Sequence, residues 1–220
     1  MAYFLGALPI KAVVFDLDHT LLDSWQVHRE AVYYAADKVG VPRPDEPTIV
    51  AHIAGSLAIE LKRIFDGGRE EVTGHYLSFY REHHLDFSHV FPGVLGLLEE
   101  LKSRGLKIGL LTNKRRLLGS AEVKHFGIGR FLDTDVYRDD VGVLKPDPKG
   151  LLHALTEMDV APSEAIMVGD AAGDIQCGRA AGAAGVAALW GAIDTAGVLA
   201  AEPDAVWHTV EDALQGASRS

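Results

Sequence analysis

The stretch Lys11-Ala-Val-Val-Phe-Asp-Leu-Asp-His-Thr-Leu-Leu22 decides the fold. Ala12 to Phe15 is an apolar run without polar alternation, the pattern of a strand covered on both faces in a parallel α/β sheet. Asp16 and Asp18 follow at once, so two carboxylates are placed at the carboxyl end of a buried strand. Open α/β sheets put their ligand crevice at that end. Like charges this close raise each other's pKa unless a cation compensates, and a metal ion is the simplest compensation.

Outward from this strand the texture changes twice. Residues 24–90 show helical periodicity: Val27, Ala31, Tyr34, Ala35 and Val39 recur at three- and four-residue spacing until Gly40-Val-Pro42 stops the helix. A second tract runs from Pro47 through Phe65, interrupted at Gly55-Ser56 and ended by Asp66-Gly67-Gly68, and a third spans about 70–84. From Phe91 strands and helices alternate. Val94, Leu97, Leu98 and Leu101 share a helix face closed by Gly105, and Lys107–Thr112 reads as a buried strand. A helix is expected over 117–126 and a short strand at 135–137. Asp147-Pro148 serves as the N-cap and first turn of a helix that uses Leu151, Leu155 and Met158. Strands are predicted at 165–169, 185–189 and 205–209. The expected architecture is a Rossmann-like α/β fold, a mostly parallel sheet with helices on both faces, built from 1–23 and 91–220, with an inserted all-helical domain over 24–90.

Composition narrows the function. The chain has 220 residues, enough for one substantial core plus a smaller insertion. With 21 basic and 31 acidic residues the net charge is −10, and no basic cluster exceeds Lys114-Arg115-Arg116, which argues against a nucleic-acid partner. The single cysteine, Cys177, excludes an internal disulfide and fits a reducing compartment; its place in an Ala/Gly-rich helix reads as packing. The apolar residues 1–10 lack the basic start of a signal peptide and feed toward the Asp16 strand. No apolar stretch approaches the ~20 residues needed to span a bilayer. A cytoplasmic protein with no membrane partner is expected.

Three predicted strands end in polar residues that a core would not choose: Asp16 and Asp18, Thr112 and Asn113, and Asp170. Parallel strands point the same way, so these ends converge on one rim. Lys145, in Leu144-Lys-Pro-Asp-Pro148, precedes a helix and reaches the rim from a loop. Carboxylates bind Mg²⁺ through oxygen, while the hydroxyl, amide and ammonium suit a phosphate dianion. Individually each has a plainer reading: a solvated turn for the acids, a strand-to-loop junction for Thr112-Asn113, a surface lysine for Lys145 and a helix cap for Asp174.

Taken in order, Asp16-Leu-Asp-His-Thr20, Thr112-Asn113, Lys145-Pro146 and Gly169-Asp170-Ala-Ala-Gly-Asp174 resemble the four motifs of the haloacid dehalogenase-like hydrolase superfamily, in particular its phosphoglycolate phosphatase-like branch, which inserts a helical cap after the first motif. The likeness runs from about 11 to 190. It implies that Asp16 is the nucleophile forming an aspartyl-phosphate, and that Asp18 protonates the leaving oxygen and then activates water. Thr112 or Asn113 would donate to the phosphoryl oxygens, with Lys145 neutralising charge. Asp16, the backbone carbonyl of Asp18, and Asp170 would hold Mg²⁺, with Asp174 in or just outside that shell. Dehalogenases of the family lack the second acid, so Asp18 favours phosphate chemistry. One departure is Ala171, where serine or threonine is common.

Within the insertion, His28, His52, Ser56, Lys62 and Arg63 are candidates to meet substrate, and Gly55-Ser56 resembles the family's specificity loop. His75, His83, His84 and His89 show no metal-ligand spacing. His19 and Trp190-Gly191 are given no chemistry. The resemblance implies a Mg²⁺-dependent phosphatase acting on a small phosphorylated metabolite such as phosphoglycolate, as a monomer or homodimer. A sugar phosphomutase or an inorganic pyrophosphatase is the alternative within the superfamily. Outside the enzymes, a phosphoacceptor signalling domain uses similar residues but is about half as long and carries no cap, and a catalytically dead binding protein does not fit a chain in which no motif residue is missing.

Overall fold

The computed structural model describes residues 3–5, 8–53, 61, 64–65 and 70–215. The chain divides into two compact units, Met1–Leu22 with Val90–Ser220, and Asp23–His89.

The larger unit is built on six parallel strands. In chain order they are β3 (Ala12–Phe15), β6 (Lys107–Thr112), β7 (Thr134–Tyr137), β8 (Ala165–Gly169), β9 (Ala184–Ala188) and β10 (Ala205–Trp207). β1 (Tyr3–Leu5) and β2 (Leu8–Ile10) pair antiparallel as a separate ribbon. The apolar N-terminus therefore pairs with itself before the first core strand. β4 (Leu22–Asp23) and β5 (His89–Val90) lie where the chain leaves and re-enters this unit. The main sheet has the order β10-β9-β8-β3-β6-β7, and every neighbouring pair is parallel. The chain builds outward from β3 to one side, then returns to fill the other. β3 is thus the switch point, where a parallel sheet opens a crevice beyond its strand ends.

Alternate residues of the central strands feed two cores. Val13, Phe15, Ile108, Leu110, Ile166 and Val168 pack on one face with Val94, Leu97, Leu98 and Leu101 of helix α4 (Val94–Ser103) and with Val210 and Ala213 of α10 (Val210–Gln215). Ala12, Val14, Leu111 and Met167 pack on the other with Leu151, Ala154 and Leu155 of α7 (Lys149–Glu157) and Cys177 of α8 (Ala172–Ala181). Truncating a fully buried side chain such as Leu98 to alanine costs ~2–5 kcal/mol at sites of this kind. α5 (Arg116–His125), α6 (Arg138–Val141) and α9 (Thr195–Ala200) complete the unit.

Two local expectations shift. α7 begins at Lys149 with Pro148, not Asp147, in the N-cap position and no side-chain cap; Asp147 Oδ1 accepts from Lys149 N at 2.9 Å from one residue further out. β9 spans Ala184–Ala188 and β10 ends at Trp207, each close to the sequence expectation.

The smaller unit contains α1 (Trp25–Val39), α2 (Glu46–Ile53) and α3 (Glu70–His83). α1 ends where Gly40 adopts φ 70°, the left-handed conformation that side chains resist, and Val41 N closes the turn on Ala36 O at 3.1 Å. Its buried stripe is Val27, Ala31, Val32, Ala35 and Ala36; Tyr34 is only half buried, resting on Phe79. Gly55, Ser56, Lys62, Arg63 and the expected helix end at 66–68 lie outside the described residues.

Candidate active site

Three adjacent strands, β8, β3 and β6, deliver the predicted residues to one rim. Asp16 follows β3 directly, its N–H donating to Val168 O of β8 at 2.9 Å. Thr112 is the last residue of β6, and Asp170 follows β8. Lys145 arrives from the loop ahead of α7, and Asp174 from the first turn of α8.

Lys145 organises one half of the site. Its side chain is only 4% exposed, and Nζ lies 2.7 Å from Asp16 Oδ1 and 2.6 Å from Asp174 Oδ1. It also donates to Leu111 O at 3.1 Å. Asp16, Asp170 and Asp174 each offer an oxygen, all within 4.8 Å of one another. Three carboxylates therefore face one ammonium in a place largely removed from water. Burial most of all pushes Asp16 up to about 6; Lys145 opposes the rise and Asp174 adds to it. Burial, then Asp174 and Asp16, holds Asp170 well above the ordinary carboxylate range. For Lys145, burial alone lowers the pKa, but Asp16 and Asp174 outweigh it and keep the ammonium charged. The residual negative charge and the all-oxygen donor set fit a hard divalent cation. These three aspartates can hold a metal ion.

Asp174 has further ties. Its Oδ2 accepts from Ala171 N at 3.1 Å, so a carboxylate reaching back caps α8, whose N-cap residue Ala171 offers no hydroxyl. A Cβ on Gly169 would lie 2.1 Å from the Asp174 carboxyl carbon. Only glycine at the end of β8 lets Asp174 approach this closely.

The second half centres on Lys114, a residue sequence reasoning noted only as part of a basic cluster. Its Nζ pairs with Asp18 Oδ1 at 2.7 Å and Glu122 Oε2 at 2.6 Å. Asp18 is thus held by its own lysine, and its carboxylate is not one of the three in the aspartate group. Thr112 Oγ1 accepts from Lys114 N at 3.1 Å, which leaves its hydroxyl proton to donate. Asn113 Oδ1 accepts from Lys145 N at 2.8 Å, tying the β6 loop to the Lys145 loop.

Thr20 and Trp190 also support the site. The fully buried Thr20 donates Oγ1 to Asp170 Oδ1 at 2.9 Å, and Trp190 Nε1 donates to Thr20 O at 2.8 Å. A Cβ on Gly191 would sit 2.0 Å from His19 O, so Trp190-Gly191 presses against the turn that carries Asp18. The signal for Thr20 was its place in the first motif. Glu122 carried no such signal; its burial on α5 beside Gly119 and Val123 is visible only in the structure.

The family model for haloacid dehalogenase-like hydrolases matches residues 13–188. The chain belongs to this family. It is 33% identical over 184 residues to a phosphoglycolate phosphatase of Thiobacillus denitrificans, covering 80% of this chain and 81% of that one. It is 31% identical over 205 residues to the pyrophosphatase PpaX of Bacillus velezensis, covering 93% and 95%. A haloacid dehalogenase-like hydrolase structure from Streptococcus pneumoniae superposes with a TM-score of 0.81 at 28% identity, covering 94% of this chain and 97% of that one. A predicted phosphoglycolate phosphatase from Haemophilus somnus shares the fold, with a TM-score of 0.85 at 23% identity and coverage of 94% and 97%. This member of the haloacid dehalogenase-like family is a phosphatase. Among its described residues no helix is long and apolar enough to cross a membrane.

Proposed function

We propose that the protein is a Mg²⁺-dependent phosphatase that hydrolyses a small phosphorylated metabolite through an aspartyl-phosphate on Asp16. The observation that carries this reading is the placement of Asp16, which ends the central strand, contacts Lys145 and shares an oxygen cluster with Asp170 and Asp174. Mg²⁺ held by Asp16, Asp170, Asp174 and the Asp18 carbonyl would supply the positive charge that phosphoryl transfer demands.

The chain's own groups divide the remaining work. The Asp16 carboxylate attacks phosphorus in line, and the P–O bond to the leaving group breaks. Asp18 gives its proton to the departing oxygen, then takes one from the water that hydrolyses the aspartyl-phosphate. Thr112 donates its hydroxyl to a phosphoryl oxygen, and Lys145 offsets charge on Asp16 and on the transferred group. The helical unit, residues 23–89, is assigned the role of a cap that excludes water and selects substrate.

Phosphoglycolate is the leading substrate, on the strength of the relative with that name. Pyrophosphate is the second reading, favoured by relatives named pyrophosphatase that align over nearly the whole chain, including one from Bacillus mycoides at 32% identity over 96% of it. Purified protein is expected to hydrolyse 4-nitrophenyl phosphate only with a divalent cation, and Asp16→Asn to abolish that activity. A panel of phosphorylated metabolites then ranks phosphoglycolate against pyrophosphate. No turnover of any phosphate ester by the metal-loaded protein would refute the reading.

A further inference from the structure

We infer that Glu122, acting through Lys114, is a positioning residue that sets the Asp18 carboxyl for proton transfer to the leaving group. The inference rests on the reading of Asp18 as the proton donor. Glu122 is fully buried on α5, Lys114 is 8% exposed, and the Asp18 side chain is 22% exposed, so the chain of charges runs from the interior to the rim. Both links are short, at 2.6 and 2.7 Å.

A buried ion pair is costly to desolvate, and an apolar pair of similar volume usually serves stability as well or better. Here the ammonium shared with Glu122 points to the one acid that must hold a fixed orientation toward a departing oxygen. Glu122 holds Lys114 from a helix, a rigid element, and Lys114 holds Asp18. The β6 loop adds a second constraint, because Lys114 N is already tied to Thr112 Oγ1. The hydroxyl assigned to the phosphoryl group and the acid assigned to the leaving group are thereby registered through one residue.

The test uses leaving groups that differ in their need for a proton. 4-Nitrophenolate departs without one, whereas an alkoxide such as that of phosphoglycolate or glycerol phosphate does not. Because kcat/KM reports only the steps through phosphoryl transfer to Asp16, it isolates the donor role from the later attack of water. In the full-length, Mg²⁺-loaded enzyme, Glu122→Gln should lower kcat/KM for the alkyl phosphate by about tenfold or more and for 4-nitrophenyl phosphate by less than about threefold. Lys114→Met with Glu122→Leu, which replaces the pair by apolar residues of similar size, should show the same split, while Lys114→Arg retains most alkyl activity. Equal losses on both substrates, or no loss on either, would overturn the inference. Asp18→Asn separates it from the reading beneath it. A split for Asp18→Asn but none for Glu122→Gln removes only the positioning role. Absence of a split for Asp18→Asn removes the donor assignment, and the positioning role with it.

Discussion

Lys145 and Lys114 each bridge two carboxylates at the same sheet rim, but on different terms. Lys145 joins Asp16 and Asp174, two residues of the recognisable motifs, and Asp170 leaves that half with more negative charge than one ammonium can balance. Lys114 joins Asp18 to Glu122, a residue of no motif, with a smaller imbalance among the three. On the proposed reading the first half takes up a cation and a phosphoryl group, and the second holds one acid still. The same residue type would then serve charge compensation in one place and orientation in the other.

The largest effect falls on the first half. Asp16→Asn should reduce turnover by ~10⁴-fold or more in a steady-state assay, because no other group would replace the proposed nucleophile. Lys145→Met should cost ~10²–10³ in kcat. The same change leaves Asp16 and Asp174 facing each other without their ammonium, and should destabilise the metal-free protein by ~3–5 kcal/mol in urea titration. Mg²⁺ should recover much of that loss. An equal loss with and without Mg²⁺ would break the claim that the first half is organised by charge.

Thr20→Val removes the hydroxyl that orients Asp170 Oδ1. Calorimetric titration with Mg²⁺ should show affinity weakened ~10–100-fold, with the fold unchanged by circular dichroism. Unaltered affinity would place Asp170 outside the cation's shell.

The excess negative charge also leaves a mark on stability. Burial raises Asp16 from the ordinary 3.8 to about 6, so between those values the folded, metal-free protein binds a proton that the unfolded chain has released. The stability from this group is fully present below 3.8 and is lost as pH rises through about 6. Thermal melts across that window should show the decline in wild type and a flatter profile in Asp16→Asn. Smallest of all is Asn113→Ala, which removes the acceptor for Lys145 N and should cost ~1 kcal/mol. Its test is a modest fall in melting temperature with Lys114-dependent leaving-group selectivity intact.

The two halves differ equally in how well they could be read from sequence. Asp16, Thr112 and Asp170 announce themselves because each follows a short apolar strand, and parallel topology brings strand ends together whatever their separation along the chain. Lys145 and Asp174 gain meaning from fixed spacing beside helix starts. Glu122 offered no such local cue: a glutamate in a helix is by default solvated, and only the tertiary packing of α5 buries it. Asn113, a candidate phosphate donor, also ties the Lys145 loop through its side-chain oxygen, a contact that no sequence pattern announces. The N-terminal ribbon escaped detection because short apolar runs carry no period that separates a hairpin from the lead-in to a core strand. In the helical unit the spacing located α1, but Val32 and Ala36 are buried where Tyr34 was expected, since helix periodicity fixes a stripe less sharply than strand ends fix a rim.

The most direct test of the account is to catch the phosphoryl group on the protein. Enzyme mixed with Mg²⁺ and 4-nitrophenyl phosphate, quenched in acid within the first turnover and digested, should yield a peptide spanning Lys11–Leu22 heavier by one phosphoryl group, with the label on Asp16 and absent from Asp16→Asn. Turnover without any label on that peptide, or a label on another residue, would contradict the central claim.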